Sequence, residues 1–251
     1  MNLIEEYKKQ QTWRNWESYL DLIPIKETDI VLDLGCSVGN VSHLLANKVS
    51  HVTGIDLNSD FIQFCDENKS SNEQYICSNF LDLDFSKFPC ITGLWGSFSL
   101  SYLADPKPYL DKVYMKMDKG SWIALLDVSC FISGNMNKQS KFYEKVRNFE
   151  LESCKSGVYD FNFGAKLKPL LNQSGFKVIH CDESVHDVEL NFNGCAKEEV
   201  VAVWRARLSR LVLLKRLLDS EYCEFEREFL AFINSDSHEQ RNSLQFVVAI
   251  K

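Results

Sequence analysis

Residues 29–40 read DIVLDLGCSVGN, a run of branched apolar side chains that closes on an acid and a glycine. Such a run is typical of a buried strand that ends in a tight turn. Residues 51–56, HVTGID, repeat the pattern, and a segment with helical spacing lies between the two runs, from about 39 to 47. These three segments predict a β-α-β unit.

The same alternation of short apolar runs and helical spacing continues to residue 250. Further strands are expected at 74–78, 91–97, 121–128, 176–181 and 244–250. Helices are expected at 3–21, 59–68, 106–117, twice within 138–173, and at 197–218 and 221–233. Strands that alternate with helices predict an α/β fold with a doubly wound, mostly parallel sheet covered on both faces. We expect one domain over 1–251, with a helical insertion over 184–243 before the final strand.

Composition limits the partners that the protein can bind and indicates the cellular compartment in which it works. The 251 residues include 35 acidic and 28 basic side chains, a formal charge of −7 that disfavours nucleic acid and anionic membranes as partners. No apolar run approaches the roughly 20 residues of a membrane span, and acids near the start oppose a signal peptide. Nine cysteines without a Cys-x-x-Cys pair favour a cytoplasmic protein with no metal site.

Candidate ligand-binding residues follow the first two strands, because ligands of an open parallel sheet lie beyond the carboxyl ends of its strands. Asp33 and Gly35 end the first strand and Asp56 ends the second, about 20 residues further on, where a carboxylate can accept hydrogen bonds from ribose hydroxyls. A dinucleotide fingerprint would need glycine where Ser37 and Asn40 stand. Because a carboxylate at position 33 would repel pyrophosphate and attract a cation, the pattern predicts a positively charged, phosphate-free nucleoside.

These residues resemble the first motif of the class I S-adenosylmethionine-dependent methyltransferases, an acid followed by Gly-x-Gly-x-Gly. Asp33, Gly35 and Gly39 match the motif, and Ser37 replaces the middle glycine. Residues 52–58 are similar to the family's second motif. The resemblance implies a Rossmann-like fold with seven strands, the last antiparallel. It also implies S-adenosylmethionine (SAM) as cofactor and S-adenosylhomocysteine (SAH) as product.

The resemblance also implies roles for single residues. Asp56 would bind the ribose, Leu57 would pack on adenine, and Asn79 would accept a hydrogen bond from the adenine amino group. The expected cofactor site consists of Trp13, Asp33, Gly35, Cys36, Ser37, Gly39, Asp56, Leu57, Asn79, Phe80 and Ser97. Four further segments are similar to a bacterial small-molecule subgroup of the family: Trp13 to Trp16, 120–125, 159–161 with Gly164, and 204–208.

Two residues after later strands are candidates for catalysis. Asp127 ends the fifth predicted strand, where it could act as a general base or simply cap a loop. Tyr102 follows the fourth, where it could hydrogen-bond the acceptor or form a wall of its pocket. Residues 1–24 are expected to form a helical lid over the acceptor. The 184–243 insertion is expected to cover the acceptor as well. The basic residues of 205–216 are interpreted as a solvated helix face.

The sequence therefore predicts methyl transfer to a small-molecule acceptor, with the attacking atom and the oligomeric state left open. Two other interpretations remain: a nucleoside-binding module without catalysis, and a nicotinamide-dependent oxidoreductase, which the glycine spacing disfavours.

Overall fold

The structure, a computed structural model, describes residues 2–88 and 90–251. In these residues seven strands form one sheet: β1 (Ile30–Leu34), β2 (His51–Asp56), β3 (Glu73–Cys77), β4 (Gly93–Ser97), β5 (Trp122–Ser129), β6 (Lys177–Asp182) and β7 (Ser243–Ile250). The α-helices of the same residues are α1 (Leu3–Gln11), α2 (Trp16–Leu20), α3 (Asn40–Ala46), α4 (Ser59–Asn68), α5 (Lys107–Lys116), α6 (Tyr143–Lys155), α7 (Leu167–Gln173), α8 (Glu198–Arg210), α9 (Val212–Leu218) and α10 (Tyr222–Ile233).

The strand order across the sheet is β3-β2-β1-β4-β5-β7-β6. Strands β1 to β5 pair in parallel, and β7 runs antiparallel to both β5 and β6. The order reverses direction between β1 and β4, and such a reversal opens a crevice at the carboxyl ends of the strands. The predicted seven-stranded, mostly parallel sheet with an antiparallel last strand is confirmed.

Both faces of the sheet are buried, as expected when helices cover a parallel sheet. Leu32 and Leu34 of β1 pack into one apolar cluster with helices α5 and α7. Val31, which points to the other face, joins a second cluster with helices α2 and α3. Because successive side chains of a strand point to opposite faces, one short run of branched residues contributes to both cores.

The helical insertion lies between β6 and β7, as predicted. Helices α8 and α10 pack together with α6 around a third apolar cluster, in which Phe142, Trp204, Phe225 and Phe229 are almost fully buried. This cluster is separate from the two sheet cores. None of the helices in the described ranges is both long and apolar enough to cross a bilayer.

Two predicted helices are each divided in the structure. The helix expected over 3–21 is two helices, because the chain turns after Thr12 and Asn15 caps α2 by accepting a hydrogen bond from the backbone of Ser18. The helix expected over 197–218 breaks at Leu211, whose ψ of 72° is outside the helical range. Apolar spacing continues across both breaks, so periodicity could not reveal them.

Candidate active site

A cavity of about 940 Å³ opens at the carboxyl ends of β1, β2 and β4. Its volume is within the range of small-molecule and cofactor sites. One half lies against the β1 and β2 loops, and the other half lies beneath α1, α8 and α9. The lining includes most of the predicted cofactor residues, namely Asp33, Gly35, Cys36, Ser37, Asp56, Leu57, Asn79, Phe80 and Ser97, together with the predicted catalytic residue Tyr102.

The loop after β1 has an unusual backbone. Gly35, Ser37 and Gly39 all adopt positive φ, at 73°, 51° and 75°. A Cβ on Gly35 would lie 2.9 Å from the Cβ of Ser99, so the loop needs glycine there for space as well as for conformation. Gly39 is the N-cap of α3 and is not among the described residues that line the cavity. The serine that replaces the middle glycine has adopted the left-handed conformation that glycine favours.

Asp56 ties this loop to the end of β2. Its Oδ2 accepts a hydrogen bond from the backbone N–H of Ser37, and its Oδ1 accepts one from that of Asn58, both at 2.9 Å. Each carboxylate oxygen retains a lone pair, and the side chain lines the cavity. The carboxylate is therefore fixed in position and can accept two further hydrogen bonds.

Asp33 is a second carboxyl group in the cavity lining, and only 2% of it is exposed. Burial raises its pKa to about 7, although the Ser42 hydroxyl, 2.6 Å from Oδ2, donates a hydrogen bond that lowers it, and the charge of Asp56 raises it further. Two neighbouring carboxyl groups favour a cationic ligand over an anionic one.

The remaining cofactor candidates lie around the outer edge of the cavity. Leu57 is 69% exposed at its mouth. Asn79 accepts a hydrogen bond from the backbone of Leu81 at 3.0 Å and so shapes the loop after β3. Phe80 beside it is buried against Tyr109, with ring centroids 5.4 Å apart. The adenine roles predicted for these side chains stay predictions.

Trp13 is missing from the described lining of the cavity and packs against the cluster of the helical insertion. Its cofactor role stays a prediction. Trp16, three residues further on, lines the cavity and packs edge-on against Trp95, with centroids 6.0 Å apart.

Asp127 lies beneath the cavity rather than in its lining. Its Oδ1 accepts a hydrogen bond from the backbone of Val128 at 2.8 Å, and burial raises its pKa to about 8. The buried Ser101 hydroxyl influences the pKa of both Asp127 and Tyr159, and Tyr159 reaches the cavity. The predicted direct base is therefore one layer away from any acceptor in the cavity.

Two of the basic residues interpreted as a solvated helix face contact buried carboxylates, whereas Arg205 is exposed. Arg210 forms two hydrogen bonds with buried Glu6 of α1, at 2.7 and 2.9 Å, which join the insertion to the N-terminal helix. Arg207 is buried to four fifths and contacts Glu189 at 2.5 Å. Both Arg207 and Arg210 line the cavity.

Glu189 is the centre of a buried ionic network that the sequence analysis missed. Besides Arg207, it contacts Arg14, whose Nη2 lies 2.9 Å from its Oε2. Arg14 also contacts Asp187, with Nε 2.6 Å from Oδ2. Arg14 is more than 170 residues from both acids in sequence, and no local pattern marks such contacts.

Comparison with known proteins agrees with this geometry. Residues 31–120, which include the β1 loop, Asp33 and Asp56, match the model of the methyltransferase domain family. Over these residues the chain is similar to a methyltransferase domain. The resemblance found in the sequence motifs is confirmed.

The individual relatives of the chain are distant. It is 22% identical over 211 residues to a phosphoethanolamine N-methyltransferase of Triticum aestivum, a match that covers 77% of this chain and 40% of that protein. The chain thus spans less than half of that relative.

Solved structures share the fold at low identity. The [4+2]-cyclase SpnF has a TM-score of 0.60 at 13% identity, with 94% of this chain and 80% of that chain covered. The mycolic acid cyclopropane synthase CmaA1, solved with SAH, has a TM-score of 0.58 at 9% identity, with 94% and 82% covered.

The residues of the cavity fit SAM. Several buried polar atoms in the lining have no hydrogen-bond partner among the described residues, namely Trp16 Nε1, Trp95 Nε1, Ser37 Oγ and Ser99 Oγ. Buried polar atoms are normally paired, so a polar ligand or water is needed here. The indole N–H groups can donate to a carboxylate, while Asp33 and Asp56 suit an amine and ribose hydroxyls.

Proposed function

We propose that this methyltransferase transfers the methyl group of SAM to a small-molecule acceptor. The observation that carries the proposal is the pair of carboxyl groups, Asp33 and Asp56, at the cavity end formed by the family's first two motifs. This end suits a cationic nucleoside and opposes a phosphate. The cavity continues beyond it into a half lined by aromatic side chains, where the acceptor would lie.

SAM, when bound, supplies a methyl carbon that is already activated by a positively charged sulfur. The chain's task is then to hold both reactants in line and to keep water out. Asp56 would bind the ribose hydroxyls, Asp33 would face the amine of the methionine part, and Leu57 with Phe80 would enclose adenine.

The acceptor would lie in the half of the cavity formed by the later part of the chain. Phe131, Phe161 and Tyr159 line this half together with Tyr102, whose ring meets that of Tyr159 at 4.7 Å. Helix α1 and the 184–243 insertion would cover the acceptor, since residues of both line the cavity. Tyr102 would contact the acceptor, whereas Asp127 lies outside the lining and would not touch it.

A binding module without catalysis is the alternative. One structural neighbour with this fold is named as a [4+2]-cyclase and not as a methyltransferase. The fold alone therefore does not decide the function. The two hypotheses differ in whether the methyl group ever leaves the cofactor.

The test is incubation of the protein with methyl-labelled SAM and a fractionated small-molecule extract. The proposal predicts label in a new low-molecular-weight product with the wild type and none with Asp56→Ala. Label confined to the SAM pool, in a protein that binds SAM, would favour the binding module. Label transferred equally by both proteins would contradict the assigned site.

A further inference from the structure

Arg207 is a cationic side chain in the lining of the acceptor half that has unused hydrogen-bonding capacity. Arg210 donates both terminal nitrogens to Glu6, and Arg14 has two acidic partners. Arg207 contacts Glu189 through Nη2, whereas its Nη1 is buried and has no hydrogen-bond partner among the described residues. A buried donor without a partner is costly, so this nitrogen needs an acceptor oxygen from water or from a ligand.

Arg207 is also the less neutralised of the two arginines that share Glu189. Arg14 has Asp187 as a partner of its own, while Arg207 has only one oxygen of a carboxylate that Arg14 also contacts. Arg207 is therefore the group at this end of the cavity that can pair with an anion, in contrast to the end formed by the two aspartates.

Flat side chains surround the same guanidinium group. Its carbon lies 5.0 Å from the ring centroid of Phe131 and 5.1 Å from that of Trp204. Phe131 stacks on Phe161 at an interplanar angle of 21°, and Phe149 and Tyr159 pack against Phe161 with centroids 5.5 and 4.7 Å away. Aromatic surfaces of this kind bind planar rings through offset or edge-on contacts.

We propose that the acceptor is a planar aromatic molecule that carries an anionic oxygen group, which Arg207 binds through Nη1 while the ring packs between Phe131, Phe161 and Tyr159. This inference rests on the proposed function for its placement of the cofactor at the opposite end. It makes Arg207 a specificity-determining residue for the acceptor.

Three small probes separate the two parts of the proposal: benzoate, which is planar and anionic; benzamide, its neutral counterpart of the same shape; and acetate, which is anionic without a ring. Each is titrated against the protein saturated with SAH, with ligand-observed NMR as the readout. We expect benzoate to bind about tenfold or more tightly than benzamide, as a charge-assisted hydrogen bond implies. We also expect benzoate to bind more tightly than acetate.

Arg207→Gln is expected to abolish the preference for benzoate over benzamide, and Arg207→Lys to restore part of it. The matched control is Arg216→Gln, on the exposed side of α9, which should keep the wild-type preference. SAH affinity, measured for every variant, reports whether the protein is folded. The wild-type comparison of benzoate with benzamide does not depend on any variant.

Equal affinity for benzoate and benzamide in the wild type would overturn the anionic part of the proposal, as would a preference that survives Arg207→Gln. Acetate binding as tight as that of benzoate would overturn the aromatic part. Failure of SAH itself to bind the wild type would instead refute the proposed function, so the two failures are distinguishable.

Discussion

The two halves of the cavity differ in how the chain builds them. The cofactor half comes mainly from residues 33–80, where the side chains assigned to the cofactor lie at the end of a strand or within three residues of it. The acceptor half joins α1, the region around 131–161 and the insertion, through contacts between partners up to about 200 residues apart. Local sequence motifs thus determine the cofactor half, whereas long-range tertiary contacts form the acceptor half.

The buried network of the acceptor half should show the largest effect. Glu189→Gln leaves Arg14 and Arg207 with too little countercharge in a buried site, so we expect a loss of about 3 to 5 kcal/mol in the free energy of unfolding. Denaturant titration measures it. The control Glu221→Gln, in an exposed pair with Lys145, should leave stability unchanged. Equal stability of both variants would mean that the buried ionic network does not stabilise the contact between the N-terminal segment and the insertion.

The cofactor half should lose ligand affinity rather than stability when its fixed carboxylate is removed. Asp56→Ala should weaken SAM binding by about 100-fold or more, because hydrogen bonds to a charged group contribute about 1.5–3 kcal/mol each. Calorimetric titration gives the ratio. Asp60→Ala, an exposed acid in the first turn of α4, should bind SAM like the wild type. Wild-type affinity in Asp56→Ala would refute the ribose assignment.

Two glycines with positive φ allow the cost of the left-handed conformation to be distinguished from the cost of a steric clash. Gly35 and Gly120 both have positive φ, at 73° and 88°, but a Cβ on Gly120 would meet nothing within 4 Å. We expect Gly120→Ala to cost about 1 kcal/mol in the free energy of unfolding, from the left-handed conformation alone. Gly35→Ala should cost more, because the new Cβ meets Ser99, and should also weaken SAM binding. Equal losses in the free energy of unfolding would show that the loop after β1 moves to accommodate the new Cβ without strain.

The smallest effect should be a pH dependence specific to the cofactor half. Because burial raises the pKa of Asp33 to about 7, its carboxyl group is ionised above that pH and protonated below it. A cationic ligand prefers the ionised form, so SAM affinity should be constant above about pH 7 and fall by up to about tenfold per unit below it.

Asp33→Asn should remove this dependence. Asp127→Asn should keep it, since Asp127 also has a raised pKa but lies outside the cavity lining. A dependence that persists in Asp33→Asn would assign the titration to another group.

The sequence was sufficient for the fold and for most of the cofactor half, because strand ends, glycines and acids are neighbours in the chain. It did not show that Trp16 rather than Trp13 lines the cavity, because apolar spacing continues across the chain turn between them. The sequence pointed to Asp127 but not to its position outside the cavity lining. Arg14 and Glu189 could not be identified as partners, because they are 175 residues apart and a buried ion pair between remote segments has no local pattern.

The central claim is that the carboxyl ends of β1 and β2 bind a cationic nucleoside without phosphate. Calorimetric titration of the wild-type protein with SAM and, separately, with a nicotinamide dinucleotide tests it most directly. We expect saturable heat from SAM and none from the dinucleotide. Saturable heat from the dinucleotide, with none from SAM, would contradict the account.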